Sequence, residues 1–301
     1  MSDGNNETLD ASCYCASCGI AEIDDVKLVP CDGCDHVRYC SDDCQRDHKS
    51  RHEEDCKKRA AELRDELLFK QPESSLFGDC PICCLPVPLD PKKFIRAACC
   101  SKYICIGCDM AHQREDQDAR RVQKCPFCRE SLPATYEKCD EQTMKRVDAN
   151  DPVALSHQGS DEYNKGNYHS AFELFTKAAE LGNAWAHYNL ALLYQKGKGV
   201  EKDKGKEIHH LEEAAIGGHP VARYSLGCHE NDNFNGMIAI KHWIIAATQG
   251  DDKSIKMLME VFKQGFLEKE VLATALRAHK AAVDATKSPQ REEAEVYYRN
   301  L

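Results

Sequence analysis

The sequence repeats itself in three aligned stretches: KAAELGNAWA at residues 177–186, EAAIGGHPVA at 213–222 and IAATQGDDKS at 245–254. Their glycines at positions 182, 218 and 250 are in register, with offsets of 36 and 32 residues. A repeat of this length with small residues at fixed positions is typical of stacked pairs of α-helices. The alanines allow helices to approach closely, and the glycines are expected to end helices in left-handed turns.

The pattern around these stretches, AHYNLALLYQKGKGVEKD followed by EEAAIGGH, resembles the Sel1-like repeat, a relative of the tetratricopeptide repeat. The resemblance implies an α-solenoid over residues 152–286, with three recognisable helix pairs and a degenerate segment from residue 254 as its cap. It also implies a concave face for a partner protein. The residues expected to fill the space between layers are Phe175, Leu190, Tyr194 and Leu226, and the candidate groove residues are Tyr188, Asn189, Arg223 and Tyr224.

Bulk properties narrow the class of protein. Eighteen of the 19 cysteines lie before residue 140, whereas the start, MSDGNNETLD, lacks the basic and apolar regions of a signal peptide. We therefore expect a cytoplasmic or nuclear protein with reduced thiols. No apolar run approaches the ~18 residues that a membrane span needs. The formal charge of −10 argues against phosphate-backbone binding, so nucleic acid is not an expected partner.

The first cysteine block supplies eight ligand-type side chains: Cys15-x2-Cys18, Cys31-x2-Cys34, Cys40-x3-Cys44 and His52-x3-Cys56. A Cys-x2-Cys pair directs two sulfurs from one tight turn at one ion, and an x3 spacing places two ligands on one helical face. Eight such ligands predict two tetrahedral zinc sites. His48, one helical turn before His52, is the alternative imidazole.

This block resembles the MYND zinc finger at all eight ligand positions and at Tyr39, Ser41 and Gln45. The resemblance implies structural zinc and favours His52 over His48. MYND fingers dock proline-containing peptides with the Gln after the sixth ligand and a nearby Trp; here Gln45 is present, but Lys49 is at the Trp position. The implied pairing is interleaved, with Cys15, Cys18, Cys40 and Cys44 at one zinc and Cys31, Cys34, His52 and Cys56 at the other.

The second block, Cys80-x2-Cys83, Cys99-Cys100, Cys105-x2-Cys108 and Cys125-x2-Cys128, resembles an all-cysteine RING finger. The resemblance implies a cross-brace and a total of four zinc ions, two in each module. One RING-like zinc is then held by Cys80, Cys83, Cys105 and Cys108, and the other by Cys99, Cys100, Cys125 and Cys128.

The adjacent thiols Cys99 and Cys100 are the departure from this pattern. Neighbouring side chains point in different directions, so one ion binds both only if the backbone turns sharply between them. The alternative is that one of them is a ligand and that His112 or Cys84 completes the site. A vicinal disulfide ranks last because it is strained and needs oxidising conditions.

RING fingers that act as ubiquitin ligases position a ubiquitin-charged conjugating enzyme and contribute no catalytic residue themselves. By resemblance, Ile82 and Pro126 correspond to the residues that seat the conjugating enzyme, and Arg129 to the arginine that contacts both enzyme and ubiquitin. His112 replaces the aromatic residue often found at its position. No other nucleophile–base arrangement is evident.

The sequence thus predicts a mainly α-helical protein with two small zinc modules and an α-solenoid. Two functions are compatible with it: a RING-type ubiquitin ligase whose MYND finger and solenoid recruit a substrate or peptide, or a non-enzymatic adaptor. The predicted segments are a disordered 1–12, a MYND finger at 13–57, a helical linker at 58–78, a RING-like finger at 79–133, a second helical linker at 134–151, the solenoid at 152–286 and a loose tail or frayed helix at 287–301.

Overall fold

The computed structural model describes residues 13–23, 25–120 and 122–300, which form two compact units divided after Lys70. The fold is mainly α-helical, with small cysteine-rich modules before a helical solenoid, and this confirms the predicted fold class. The prediction of a disordered segment at 1–12 lies outside the described residues. Among the described residues, no helix combines the length and the apolar character needed to cross a bilayer.

The first unit pairs a minimal hairpin with one long helix. Strand β1 (Val29–Pro30) runs antiparallel to β2 (Arg38–Tyr39), and α1 (Asp42–Leu68) follows directly. Ser41 caps α1 by accepting a hydrogen bond from the backbone N–H of Cys44 at 3.3 Å. The buried cluster of this unit consists of Cys15, Leu28, Cys31, Cys34 and Tyr39. Three of its five members are candidate zinc ligands, so the apolar core alone is too small to hold the unit together.

The second unit begins with a cysteine-rich module. A short 3₁₀ turn (Pro91–Lys93) leads into β3 (Phe94–Arg96), which pairs antiparallel with β4 (Tyr103–Cys105). Helix α2 (Ile106–Asp118) starts where β4 ends, so two candidate ligands fall at this strand–helix junction. The buried cluster of the module is Cys80, Val87, Ala97, Ile104, Cys105, Cys108 and Cys125.

The solenoid is a series of helices, most of which have 13 residues. Its bounds are α3 (Tyr136–Asp148), α4 (Pro152–Asn164), α5 (Tyr168–Glu180), α6 (Ala184–Lys196), α7 (Lys204–Ile216), α8 (Pro220–Asp232), α9 (Gly236–Thr248), α10 (Asp252–Lys263) and α11 (Lys269–Ala285). The three predicted pairs correspond to α4–α5, α6–α7 and α8–α9, in which each helix has 13 residues. The unequal helices α10 and α11 form the less regular segment that follows.

The same two-residue motif separates one helix pair from the next. A glycine in the left-handed region ends one helix, and the next residue caps the following helix with its side chain. The glycines are Gly182, Gly218 and Gly250, with φ of 81°, 83° and 90°, and the caps are Asn183, His219 and Asp251. The predicted left-handed turns are therefore present, and the register of the glycines follows from this geometry.

Predicted interlayer residues lie in the solenoid core. Phe175, Leu190, Leu226 and Tyr194 are buried between helices. The expectation that Arg223 lines a groove is wrong, because its side chain is fully buried and its Nη2 donates to the carbonyl of Ala215 at 2.7 Å.

Instead of the expected loose tail or frayed helix over residues 287–301, the described part of that segment contains a helix that is packed against another element. Residues Pro289–Arg299 form helix α12, capped by Ser288. Its Ala294 is fully buried against Ile106 and Met110 of α2. The helix therefore returns to the cysteine-rich module instead of extending the solenoid.

Candidate zinc centres

Sixteen predicted ligands form four separate groups, and within each group the ligand atoms lie within 4.8 Å of one another. The groups reproduce both implied pairings, interleaved in the first block and cross-braced in the second. They are Cys15, Cys18, Cys40 and Cys44; Cys31, Cys34, His52 and Cys56; Cys80, Cys83, Cys105 and Cys108; and Cys99, Cys100, Cys125 and Cys128.

The spacing of the sulfur atoms fits tetrahedral zinc. Zinc–sulfur bonds of about 2.3 Å in a tetrahedron place two sulfurs about 3.8 Å apart. The Cys18–Cys40, Cys31–Cys56 and Cys83–Cys105 sulfurs are separated by 3.6, 3.7 and 3.9 Å. A disulfide needs about 2.05 Å, so these cysteines are not bonded to one another. Soft thiolate donors with one imidazole form the donor set that zinc prefers.

Four Cys-x2-Cys knuckles share one backbone geometry. In each, the residue after the second cysteine adopts positive φ, and its N–H donates to the carbonyl of the first cysteine at 2.8–3.0 Å. These residues are Gly19, Asp35, Cys84 and Arg129. The turn directs both sulfurs to one side. It also explains why Cys84, although adjacent to a ligand, is not one: it occupies the left-handed turn position and is exposed.

The two candidate imidazoles of the first block have different roles. His52 is buried, and its Nε2 lies 3.2 Å from the sulfur of Cys34, within the ligand group. His48 instead shares a hydrogen bond of 3.1 Å with the hydroxyl of Tyr39 and stacks on the ring of His52. Burial lowers the pKa of His48, with the cationic Arg51 as a second cause, so His48 is a neutral packing partner for the ligand.

In the first RING-like group, helix α2 begins at a ligand. The sulfur of Cys105 accepts from the N–H of Cys108 at 3.4 Å, and the sulfur of Cys80 accepts from the N–H of Cys105 at 3.5 Å. The hydrogen bond with Cys105 lowers the pKa of Cys80 to about 4 and raises the pKa of Cys105. Two thiolates this close need a cation to coexist, and a divalent ion ligated by both supplies it.

Both Cys99 and Cys100 point into the second RING-like group. The N–H groups of Cys100 and Ser101 donate to the carbonyl of Ala97, and Ser101 has a φ of 58°, so the backbone turns sharply here. The Cys99 sulfur lies 3.3 Å from Cys128, and the Cys100 sulfur lies 3.9 Å from Cys125. Neither His112 nor Cys84 belongs to the group; His112 instead approaches Asp116 at 3.5 Å.

The residues matched to conjugating-enzyme contacts lie on two knuckles. Ile82 and Arg129 are exposed, and Pro126 is half-buried. Phe127, which the sequence analysis did not single out, is also exposed, with 45% of its surface accessible. His112 is partly covered by its own module, so it does not present an aromatic surface.

A groove of about 570 Å³ lies along α1 in the first unit. Its walls combine zinc ligands with polar residues of the helix. Gln45 and Lys49, the two positions compared with the MYND peptide groove, both line it, together with Tyr39, Arg46, Glu53 and Lys57.

One side chain that contacts a candidate zinc ligand was not predicted from the sequence. The guanidinium of Arg291, in α12, donates to the sulfur of the ligand Cys83 at 3.3 Å. Ser288 and Pro289 form a helix-start signal that could have predicted α12, but nothing in the local sequence indicates its partner.

Together, the ligand groups and the helix pairs define a zinc-finger protein with a repeat solenoid. The chain matches the MYND finger family over residues 15–56 and the Sel1 repeat family over residues 155–183 and 186–219. It therefore contains a MYND finger, binds zinc through its cysteine and histidine clusters, and carries modules that bind proteins.

Individual relatives resemble only part of the chain. The mouse (Mus musculus) protein DAP3-binding cell death enhancer 1 is 24% identical over 180 residues, covering 46% of this chain and 35% of that protein. A Sel1 repeat protein from Oxalobacter formigenes is 27% identical, with a TM-score of 0.37, covering 40% of this chain and 96% of the other. The Escherichia coli antigen c5321, with an SLR fold, is 20% identical, with a TM-score of 0.38, covering 56% of this chain and 37% of the other.

Proposed function

We propose that the chain is a four-zinc adaptor whose MYND groove binds a proline-containing peptide that also carries an acidic residue. The observation that supports this proposal is the groove along α1, lined by Gln45 and by the exposed Lys49. Zinc gives the groove its shape, because ligands such as Cys31 and Cys56 form part of its wall.

Lysine at the position of the expected tryptophan changes the chemistry of recognition. A tryptophan stacks on a proline ring, whereas an ammonium group attracts a carboxylate or phosphate. Arg46 and Lys57 add positive charge to the same groove, partly offset by Asp42 and Glu53. Lys57 pairs with Glu53 at 2.6 Å and Arg46 pairs with Asp43, so Lys49 is the cation best placed to meet an acidic ligand.

The test is fluorescence polarisation of the full chain with a library of labelled proline-containing peptides. Acidic peptides should bind more tightly than neutral or basic ones. Lys49→Glu should weaken binding about tenfold or more, and Lys58→Glu, an exposed change on α1 outside the groove, should leave it unchanged. An equal loss of affinity in both variants would show that binding depends on overall charge and not on the groove, which would contradict the proposal. Absence of binding by any peptide would also refute it.

A second candidate, ubiquitin ligase activity, is favoured by the RING-like block. Ile82, Pro126 and Arg129 lie on knuckles with the same turn geometry, and Ile82 and Phe127 are exposed apolar side chains that a partner could contact. The mechanism would be positional: the block holds a charged conjugating enzyme in the geometry for attack by a lysine.

Autoubiquitination with a panel of conjugating enzymes tests this candidate. Chains formed by the wild type should be lost in Ile82→Ala and Arg129→Ala and retained in Lys92→Ala, an exposed change on the same module. Silence across the panel from a protein that holds four zinc ions would leave the adaptor function alone. A metal analysis that finds two zinc ions per chain would refute the zinc-bound RING-like block itself.

A further inference from the structure

Arg291 is a buried cation that the zinc-finger resemblance does not account for. It belongs to α12, 208 residues after the ligand Cys83, and only 3% of its surface is accessible. Arginine is rarely buried to this degree unless it is paired or fully hydrogen-bonded.

The guanidinium reaches the first RING-like knuckle with two nitrogen atoms. Its Nη2 donates to the sulfur of Cys83 at 3.3 Å and to the carbonyl of Leu85 at 3.1 Å. Its Nη1 donates to the carbonyls of Pro86 and Thr286, each at 2.7 Å. One side chain therefore joins a zinc ligand, the backbone that follows it, and the residues that lead into α12.

The position of Arg291 is set by packing of the whole helix. Gly107 of α2 has no side chain, and a Cβ there would lie 2.9–3.0 Å from backbone atoms of Arg291 and Gln290. Glu293 pairs with Arg114 of α2 at 2.6 Å, and Glu295 pairs with Lys93 at 2.9 Å. The close approach at Gly107 and the burial of Ala294 against α2 hold α12 against the module, so the guanidinium of Arg291 is fixed in place.

The net charge of the zinc–thiolate site explains why a cation is favourable at this position. Four thiolates around one Zn²⁺ carry a net charge of −2. Cys80, Cys105 and Cys108 are buried, so water is largely excluded from this charge. A guanidinium that donates to a ligand sulfur reduces the net charge to −1 and orients the ligand. The second RING-like group has less need of such a partner, because its Cys128 is exposed.

We propose that Arg291 is a positioning residue of the Cys80–Cys83–Cys105–Cys108 zinc site, and that α12 is an integral part of the RING-like module. In this arrangement the helix contributes to zinc retention through the sulfur contact as well as through packing. The proposal rests on the four-zinc part of the proposed function.

The test is zinc release from the full chain in excess chelator, followed by timed alkylation with N-ethylmaleimide and peptide mass spectrometry. In Arg291→Met, we expect the peptides containing Cys80, Cys83, Cys105 and Cys108 to become alkylated about 10- to 100-fold faster than in the wild type. The other three groups should be unchanged. Arg291→Lys keeps the charge but loses the planar fork, so its rate should lie between those two.

Arg114→Met is the matched control, because it removes a cation from the same α2–α12 interface without touching a sulfur, and its solvent-exposed ion pair with Glu293 contributes little to holding α12. It should release zinc at the wild-type rate. The proposal would be overturned if both Arg291 variants were alkylated at the wild-type rate, or if Arg114→Met accelerated alkylation as much as Arg291→Met. It would also be overturned if alkylation became faster at all four ligand groups alike. A wild type that binds only two zinc ions would instead refute the zinc-bound RING-like block, which separates the two failures.

Discussion

At the residue level, His219 shows how a buried imidazole couples the solenoid to pH. It is fully buried, its Nδ1 accepts from the N–H of Ala222 at 3.2 Å, and it stacks on Tyr188 with ring centroids 4.4 Å apart. Burial lowers the pKa of His219 to about 3, from an ordinary value of 6.5. The unfolded chain therefore binds a proton more readily than the folded one, and acidification below pH 6.5 favours unfolding.

We predict that His219→Asn reduces the loss of stability on acidification. Asparagine is a good helix cap and does not titrate, so the cap is kept while the proton linkage is removed. Between pH 7 and pH 5 the wild type should lose about 2 kcal/mol more unfolding free energy than the variant. Urea unfolding followed by circular dichroism measures the unfolding free energy of both proteins at each pH. The zinc ligands contribute equally to the two proteins, and parallel pH profiles would contradict the prediction.

Residue-level outcomes also show what the sequence could predict. Spacing alone predicted that each Cys-x2-Cys knuckle directs two sulfurs at one ion, because a tight turn leaves few other arrangements, and the family resemblance implied which knuckles share a zinc. The participation of both Cys99 and Cys100 could not be settled, because it depends on the turn at Ser101, where a serine adopts a conformation usually taken by glycine. Likewise, the burial of Arg223 depends on tertiary packing that its neighbours in sequence do not determine.

At the level of elements, the contact between α2 and α12 depends on the absence of a side chain at Gly107. We predict that Gly107→Ala displaces α12, because the new Cβ would meet backbone atoms, which cannot rotate away. The cost should be about 1–3 kcal/mol of unfolding free energy. Gly236 is the first residue of α9, and the space that an added Cβ would occupy is open. Gly236→Ala should therefore be neutral or slightly stabilising.

Thermal melts of the two glycine variants, together with hydrogen exchange in residues 289–299, would check this contrast. Faster exchange in α12 is expected for Gly107→Ala alone. Unchanged protection there would show that the helix pair tolerates a methyl group.

Elements of the solenoid were easier to predict than α12. The glycine register reports a backbone conformation that must recur at every boundary, so helix pairs follow from it directly. Helix α12 belongs to no repeat, and its apolar face is little more than Ala294. Its partner lies far away along the chain, and such long-range pairing leaves no local pattern.

For the whole molecule, zinc removal should destabilise the cysteine-rich modules much more than the solenoid. The first unit has a core made largely of ligands, whereas the solenoid has a metal-free core that includes Phe175, Leu190 and Trp243. We predict that a strong chelator abolishes exchange protection in residues 13–41 and weakens it at 79–132. The helices α4 to α9 should stay protected, and most far-ultraviolet dichroism should remain. Hydrogen exchange with mass spectrometry reports each region, and cooperative loss of the solenoid would contradict this independence.

The contact between Arg291 and Cys83 has a consequence for the order of events during synthesis. The last cysteine of the RING-like block is Cys128, yet Arg291, the cation that contacts the candidate ligand Cys83, is translated more than 160 residues later. If Arg291 has the proposed role, the nascent module lacks its compensating cation while the ribosome makes the solenoid. We therefore expect its thiols to be most open to oxidation or metal exchange in that interval, until residues 289–299 have folded against the module.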